Sequence, residues 1–250
     1  QGTVTLSRVL ENQTNATWTS GNLNMLSGTF LNKGTVTANT TGTLTSFGLG
    51  GTNQFLNQGA FIKQGTGAAQ FTISSSNVAF NNSGVVDVQG GSLQLLAGGT
   101  HSADFTLAAG TTLLLNGTQT FSSTSDVTGP AATVNVQGGT AGFGGEVRAS
   151  AVVSSGTTSF GPVLETPSLT VNGGTTTINT ALTLTRLIFN GGTLTGSGNL
   201  TVSGAFAWNG GTMSGAGVTL LTSGAAFAFA PIQGTVTLSR VLENQTNATW

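Results

Sequence analysis

Seven carboxylates and one histidine carry most of the acid–base capacity of this chain: Glu11, Asp87, Asp104, Asp126, Glu146, Glu165, Glu243 and His101. Glycan cleavage needs two or three acids converging on one bond. No two of these acids stand one coil apart in matching phase, and they read as isolated surface charges. His101, with Ser102 and Asp104, is the minimum of a proton relay, but Gly98-Gly99-Thr100-His101 reads as a turn and the ring as an exposed loop residue. A zinc site needs several His or Cys ligands, and the chain has one His and no Cys. A calcium coil needs Gly-Gly-x-Gly-x-Asp in series; Gly138-Gly139-Thr140-Ala141-Gly142 lacks the Asp. Gly48-Leu49-Gly50-Gly51 lacks the Lys-Thr of a phosphate loop. No catalytic, cofactor-binding or metal residue is assigned, no cofactor is implied, and the chain is not expected to be an enzyme.

Charge narrows the field further. Lys plus Arg number 6 and Asp plus Glu 7, so only 5% of residues are charged, against roughly 25% in ordinary domains. Nucleic acid needs a basic patch, and none is available. Arg8, Lys33, Lys63, Arg148 and Arg186 are scattered and are expected to decorate coil surfaces and discourage sideways aggregation. Replacing Phe55 is accordingly expected to cost more than replacing Lys63. No apolar run approaches the length of a membrane span, about 18 residues. Trp18 precedes Thr-Ser-Gly and Trp208 precedes Asn-Gly-Gly, which favours core or turn packing over sugar stacking, and Trp250 is the copy of Trp18.

The elements that position these residues follow from repetition. Residues 1–18, QGTVTLSRVLENQTNATW, return unchanged at 233–250, an offset of 233 − 1 = 232 residues. Residues 1–232 read as one repeat unit and 233–250 as the start of the next identical unit, with Pro231-Ile232 as the seam. Inside the unit a looser period appears. Phe30-Leu31-Asn32-Lys33-Gly34, Phe55-Leu56-Asn57-Gln58-Gly59 and Phe80-Asn81-Asn82-Ser83-Gly84 recur every 25 residues. Val88-Gln89-Gly90-Gly91 returns as Val136-Gln137-Gly138-Gly139, read as two turns later. Val171, Phe189 and Trp208 each precede Asn-Gly-Gly, and Trp18-Thr19-Ser20-Gly21 looks like the next member of that series.

Thr3-Val4-Thr5-Leu6, Val85-Val86-Asp87-Val88 and Leu182-Thr183-Leu184-Thr185 alternate apolar and polar residues, the mark of half-buried strands. Such strands are too short to stand alone. Coiling solves this by pairing each strand in parallel with its equivalent one turn on, about 4.8 Å away. Phe30, Phe55 and Phe80 then form an interior column. Asn32, Asn57 and Asn82 form an amide ladder at a turn, and Gly34, Gly59 and Gly84 serve bends that need positive φ. At about 22 residues per turn the unit has roughly ten or eleven coils and a length of roughly 50 Å. The expected fold is all-β, a right-handed parallel β-helix (β-solenoid), with an antiparallel β-sandwich as the runner-up.

The phrases FNGGTLTGSGNLTVSG, WNGGTMSGAG, NNSGVVDVQGGSL and TLSRVLENQTNATW resemble bacterial extracellular β-strand-repeat proteins, in the style of giant filamentous-haemagglutinin-like adhesins. The resemblance implies a right-handed β-helix, export, and an extracellular or cell-surface role in adhesion or matrix. The expectation is a structural filament of tandem units whose partner is itself, end to end and by lateral bundling. The alternative is an adhesin that binds glycans or surfaces through solenoid loops, for instance at 98–104 or 122–130.

Overall fold

The computed structural model describes residues 3–72, 76–153, 155–161, 163–230 and 234–249, with backbone alone for 248 and 249. Pro231, Ile232 and Trp250 lie outside the described residues. The chain is a parallel β-solenoid of about 12 turns without helix. The described strands number 32, and the named strand pairs are all parallel. This excludes the antiparallel sandwich.

Each coil visits three faces in a fixed order. The first coil does so with Thr3–Leu6, Val9–Asn12 and Asn15–Trp18, and the second begins again at Asn22–Leu26 on top of Thr3–Leu6. The second face is a separate sheet of 12 strands. The third and first faces merge into one sheet because Val127–Val136, Val147–Val153, Leu182–Phe189 and Leu200–Trp208 run unbroken round the corner between them.

Period-2 alternation decides what each face buries. On the first face Leu93, Leu113, Val134, Ala151, Leu169, Leu187 and Phe206 stack in register and are all buried. The outward lane beside them mixes polar Gln94, Asn135 and Thr170 with half-buried Leu114, Val152 and Ile188, and its β-branched members suit a pleated surface. The second face has two inward lanes. One holds Phe30, Phe55 and Phe80, then the smaller Gly99, Gln119 and Ala141; the other holds Asn32, Asn57 and Asn82, then His101, Phe121 and Phe143. The bulky ring therefore changes lanes midway, and the core keeps its width because the vacated lane turns small.

Two sequence readings are corrected by the corners. Val88 ends a third-face strand, whereas Val136 ends its strand on the first face, so the two Val-Gln-Gly-Gly motifs mark different corners. A Gly-Gly pair fits any tight bend and does not specify which one. Gly34, Gly59 and Gly84 are not among the residues with positive φ. They are glycine because the backbone of the preceding coil passes too close: a Cβ on Gly59 would lie 2.0 Å from the Gly34 carbonyl oxygen, and one on Gly84 would lie 2.1 Å from that of Gly59. In the Asn-Gly-Gly corners the second glycine does need positive φ, as at Gly174 (67°) and Gly192 (79°).

Candidate functional site

The residues singled out by the 25-residue period meet on the second face. The Phe55 ring lies 4.8 Å from Phe30 and 5.4 Å from Phe80, nearly parallel to both. Phe55 and Phe80 are fully buried, while Phe30 is half-buried near the open first coil. Two residues along each strand, the amides form a continuous line. Asn12 Nδ2 donates to Asn32 Oδ1 (2.8 Å), Asn32 to Asn57 (2.7 Å) and Asn57 to Asn82 (2.7 Å). The second proton of each Nδ2 goes across the corner: Asn32 to the Ala60 carbonyl (2.8 Å) and Asn57 to that of Val85 (3.0 Å). Buried amides thus find partners on both sides, which burial requires.

His101 extends this lane and is not an exposed loop residue. It ends the strand Gly99–His101, is 2% exposed, and packs tilted 4.4 Å from Phe121 and edge-on 5.1 Å from Phe105. Gln119 donates both Nε2 protons to the carbonyls of Leu95 and Asn116, leaving its Oε1 to accept from His101 Nε2 at 2.9 Å. His101 Nδ1 has no partner among the described residues. Burial among rings lowers the pKa to about 4, the Gln119 bond opposing only part of that fall. The imidazole is a neutral spacer where the lane passes from amides to rings. The signal in the sequence was phase, because His101 stands in register with Asn82 and Phe121.

Lys63 is likewise inside rather than on the coil surface. It shares the inward side of Ala60–Gln64 with Phe61 and is fully buried. Its Nζ donates to the carbonyls of Gln64, Gly65 (3.0 Å) and Gly90 (3.1 Å), clamping two stacked corners together. Burial holds this ammonium below its ordinary range. Arg240 does similar work, donating to Gly198 (3.0 Å) and Ser214 (3.4 Å) carbonyls. Carbonyls turned inward at bends are orphan acceptors, and a buried cation satisfies several at once.

Asp104, Asp126, Glu146 and Glu165 are not isolated. Asp104, Asp126 and Glu146 precede residues that stack in register, Phe105, Val127 and Val147, on three successive coils. Asp104 Oδ1 accepts the Asp126 N–H (2.9 Å) and Asp126 Oδ1 accepts that of Glu146 (2.7 Å). Arg148 closes the column, with Glu146 at 2.8 Å and Glu165 at 2.9 Å. Chemically this is backbone capping ended by ion pairs. Among the described residues, no group of three or more His, Asp or Glu has the geometry of a metal site. Trp18 and Trp208 donate their indole N–H to the corner carbonyls of Gly21 (3.2 Å) and Gly210 (3.1 Å), so both pack turns.

A groove runs over the amide lane. About 240 Å³ in volume, it crosses four coils and is lined by Leu56, Asn81, Ser83, Thr100, Ser102 and Ser122, with Asn57, Asn82 and His101 beneath. Asn81 Oδ1 accepts from both the N–H (3.0 Å) and hydroxyl (3.1 Å) of Thr100. The lining residues are uncharged, several bear hydroxyls or amides, and the surface they expose is more apolar than polar. It touches the loop at 98–104, but it draws its wall from separate coils, so no contiguous motif announces it.

Both ends of the solenoid also carry apolar recesses. At the first coil a recess of about 230 Å³ is lined by Val4, Leu10, Ala16, Trp18, Leu23 and Phe30. At the last, about 190 Å³ is lined by Trp208, Phe227, Phe229, Val236, Leu238 and Leu242. Among the described residues both ends present apolar side chains: Val4 is 61% exposed and Leu238 is 48% exposed. Among the described residues, no helix is long and apolar enough to cross a membrane. No family model, curated protein or solved structure matches the sequence.

Proposed function

We propose that the chain is part of a structural extracellular filament in which 232-residue units continue one another as a single solenoid. One observation carries the reading. The same eighteen-residue sequence stands at both ends. At one end its apolar side chains Val4, Leu10 and Ala16 face Phe30; at the other Val236, Leu238 and Leu242, the copies of Val4, Leu6 and Leu10, pack on Trp208, Phe227 and Phe229. A single segment therefore fits the coil above it and the coil below it, which is what a joint between successive units requires. Uncapped strand edges are an aggregation liability in a free domain, and repeat proteins need caps only where the stack stops. Backbone ladders along the axis and the stacked core would bear the load. The extracellular setting rests on the cysteine-free, charge-poor composition and on the resemblance to surface repeat proteins.

The mass of the native polypeptide after full denaturation tests this. Many multiples of 24.9 kDa are expected. A polypeptide of about one unit that also remains monomeric in native buffer overturns the filament.

The groove over the amide lane favours a second reading, an adhesin that holds neutral glycans. Saturable binding to a glycan panel, lost on Thr100→Trp with the melting temperature unchanged, supports it. No binding across the panel removes it.

A further inference from the structure

The identical segments do not occupy the same faces. Thr3–Leu6 lies on the first face and pairs with Asn22–Met25; its copy, Val236–Leu238, lies on the second face and pairs with Gly211–Met213. Val9–Asn12 lies on the second face; its copy, Val241–Asn244, lies on the third, against Val218–Leu221. Ala16 and Thr17 pair on the third face with Val36 and Thr37; their copies Ala248 and Thr249 pair on the first, with Phe227 and Ala228. All three strands move by one face in the same sense. A local turn contact is kept, since Asn12 donates to the Thr14 carbonyl (3.1 Å) as Asn244 does to that of Thr246 (2.9 Å).

From this we infer that each unit is rotated by one face, about 120°, relative to the unit before it, so that the filament returns to register only after three units. The inference rests on the tandem-array reading. First-face strands from Thr3–Leu6 to Ala226–Phe229 span eleven coils, and the step to the second face adds a third, so a unit holds 11⅓ coils and three units hold 34. At about 4.8 Å per coil, a unit rises about 54 Å and the full period is about 163 Å. The joint tolerates rotation because stacking asks only for a short strand of matching inward parity. Leu238 covers Met213 as Leu6 is covered by Met25. Arg240 marks the joint: buried, it reaches two carbonyls of the coils below, whereas its counterpart Arg8 on the first coil is exposed. In the array Arg8 makes those bonds to the preceding unit.

The consequence is an interaction surface with three-way symmetry. The amide lane and its groove appear on the second face of one unit, the third of the next and the first of the one after. A filament so built offers every unit-borne patch in three directions, and lateral neighbours of the same kind meet equivalent surfaces all round.

The test is azimuthal. Ser123 is exposed and the chain has no cysteine. With Ser123→Cys in every unit of the polymer, gold labels seen by electron cryotomography should recur every ~54 Å and step by ~120° about the axis. Labels along one side overturn the rotation and leave the array standing. Particles with a single label overturn both. A second measurement needs no polymer. In the present chain, Thr212→Cys with Thr237→Cys should cross-link on oxidation, because these positions pair across the joint. Cross-linking of Ala228→Cys with Thr237→Cys in its place puts the copy on the first face and refutes the rotation.

Discussion

His101 gives the sharpest test of how this core is built. Its side chain is neutral in the folded protein, Nε2–H directed at Gln119 Oε1 and Nδ1 facing no partner among the described residues. Protonation would place a charge between Phe105 and Phe121. Burial accordingly lowers the pKa from 6.5 to about 4. The unfolded chain binds this proton at a higher pH than the folded one, so stability is full above pH 6.5. It falls as pH drops through the interval down to about 4 and is flat below that. A change of that size corresponds to roughly 3 kcal/mol. Urea unfolding, followed by tryptophan fluorescence from pH 7.5 to 3.5, measures it in the parent and in His101→Phe. The phenyl ring continues the stack on Phe121 but orphans the Gln119 acceptor, a cost of about 1–3 kcal/mol at every pH. The variant should be less stable at pH 7 and should lose about 3 kcal/mol less than the parent between pH 7 and pH 4. Parallel pH curves for the two proteins would refute a buried neutral imidazole.

The lanes and corners yield further expectations, each read as a stability change in urea or thermal melts. Phe55→Ala removes a ring packed between two others and should cost about 3–5 kcal/mol, whereas Lys33→Ala, whose exposed pair with Glu11 spans 3.0 Å, should change stability by less than about 1 kcal/mol. Lys63→Ala leaves three corner carbonyls without their cation and should cost at least about 2 kcal/mol; a loss as small as that of Lys33→Ala would contradict the clamp. Asn57→Asp removes the donor to Asn82 and Val85 and should cost about 2–3 kcal/mol at pH 7, with a smaller deficit at pH 4, where the protonated acid regains a donor. Gly59→Ala drives a methyl to 2.0 Å from a carbonyl oxygen and should lower the melting temperature sharply, while Gly42→Ala, whose nearest neighbour is 3.9 Å away, should be neutral or stabilising by up to about 1 kcal/mol.

Much of this architecture was legible in the chain. Alternation placed Phe55 and Phe80 inward, and the 25-residue spacing put Phe, Asn and Gly of three coils on common lines. Both rules are local: side-chain direction alternates along any strand, and equal spacing keeps equivalent residues in register. What escaped was whatever depended on the third dimension. Lys63 and His101 read as surface residues because polarity was judged residue by residue, yet each stands in the inward phase of its strand, beside Phe61 and in line with Phe121. Asp104, Asp126 and Glu146 looked unrelated because the coils that join them differ in length, by 126 − 104 = 22 and 146 − 126 = 20 residues.

The glycines at 34, 59 and 84 were correctly placed at bends, but the bend's demand was proximity to the coil below, which no torsional preference encodes. Coil length runs from 160 − 143 = 17 residues, between Phe143 and Phe160, to 80 − 55 = 25, between Phe55 and Phe80. The sequence by itself determined that the chain coils, which side of each strand turns inward, and that the eighteen-residue segment repeats. Only the tertiary structure decided on which face that segment lands, because the face is the running total of every corner before it, and short-range patterns carry no such sum.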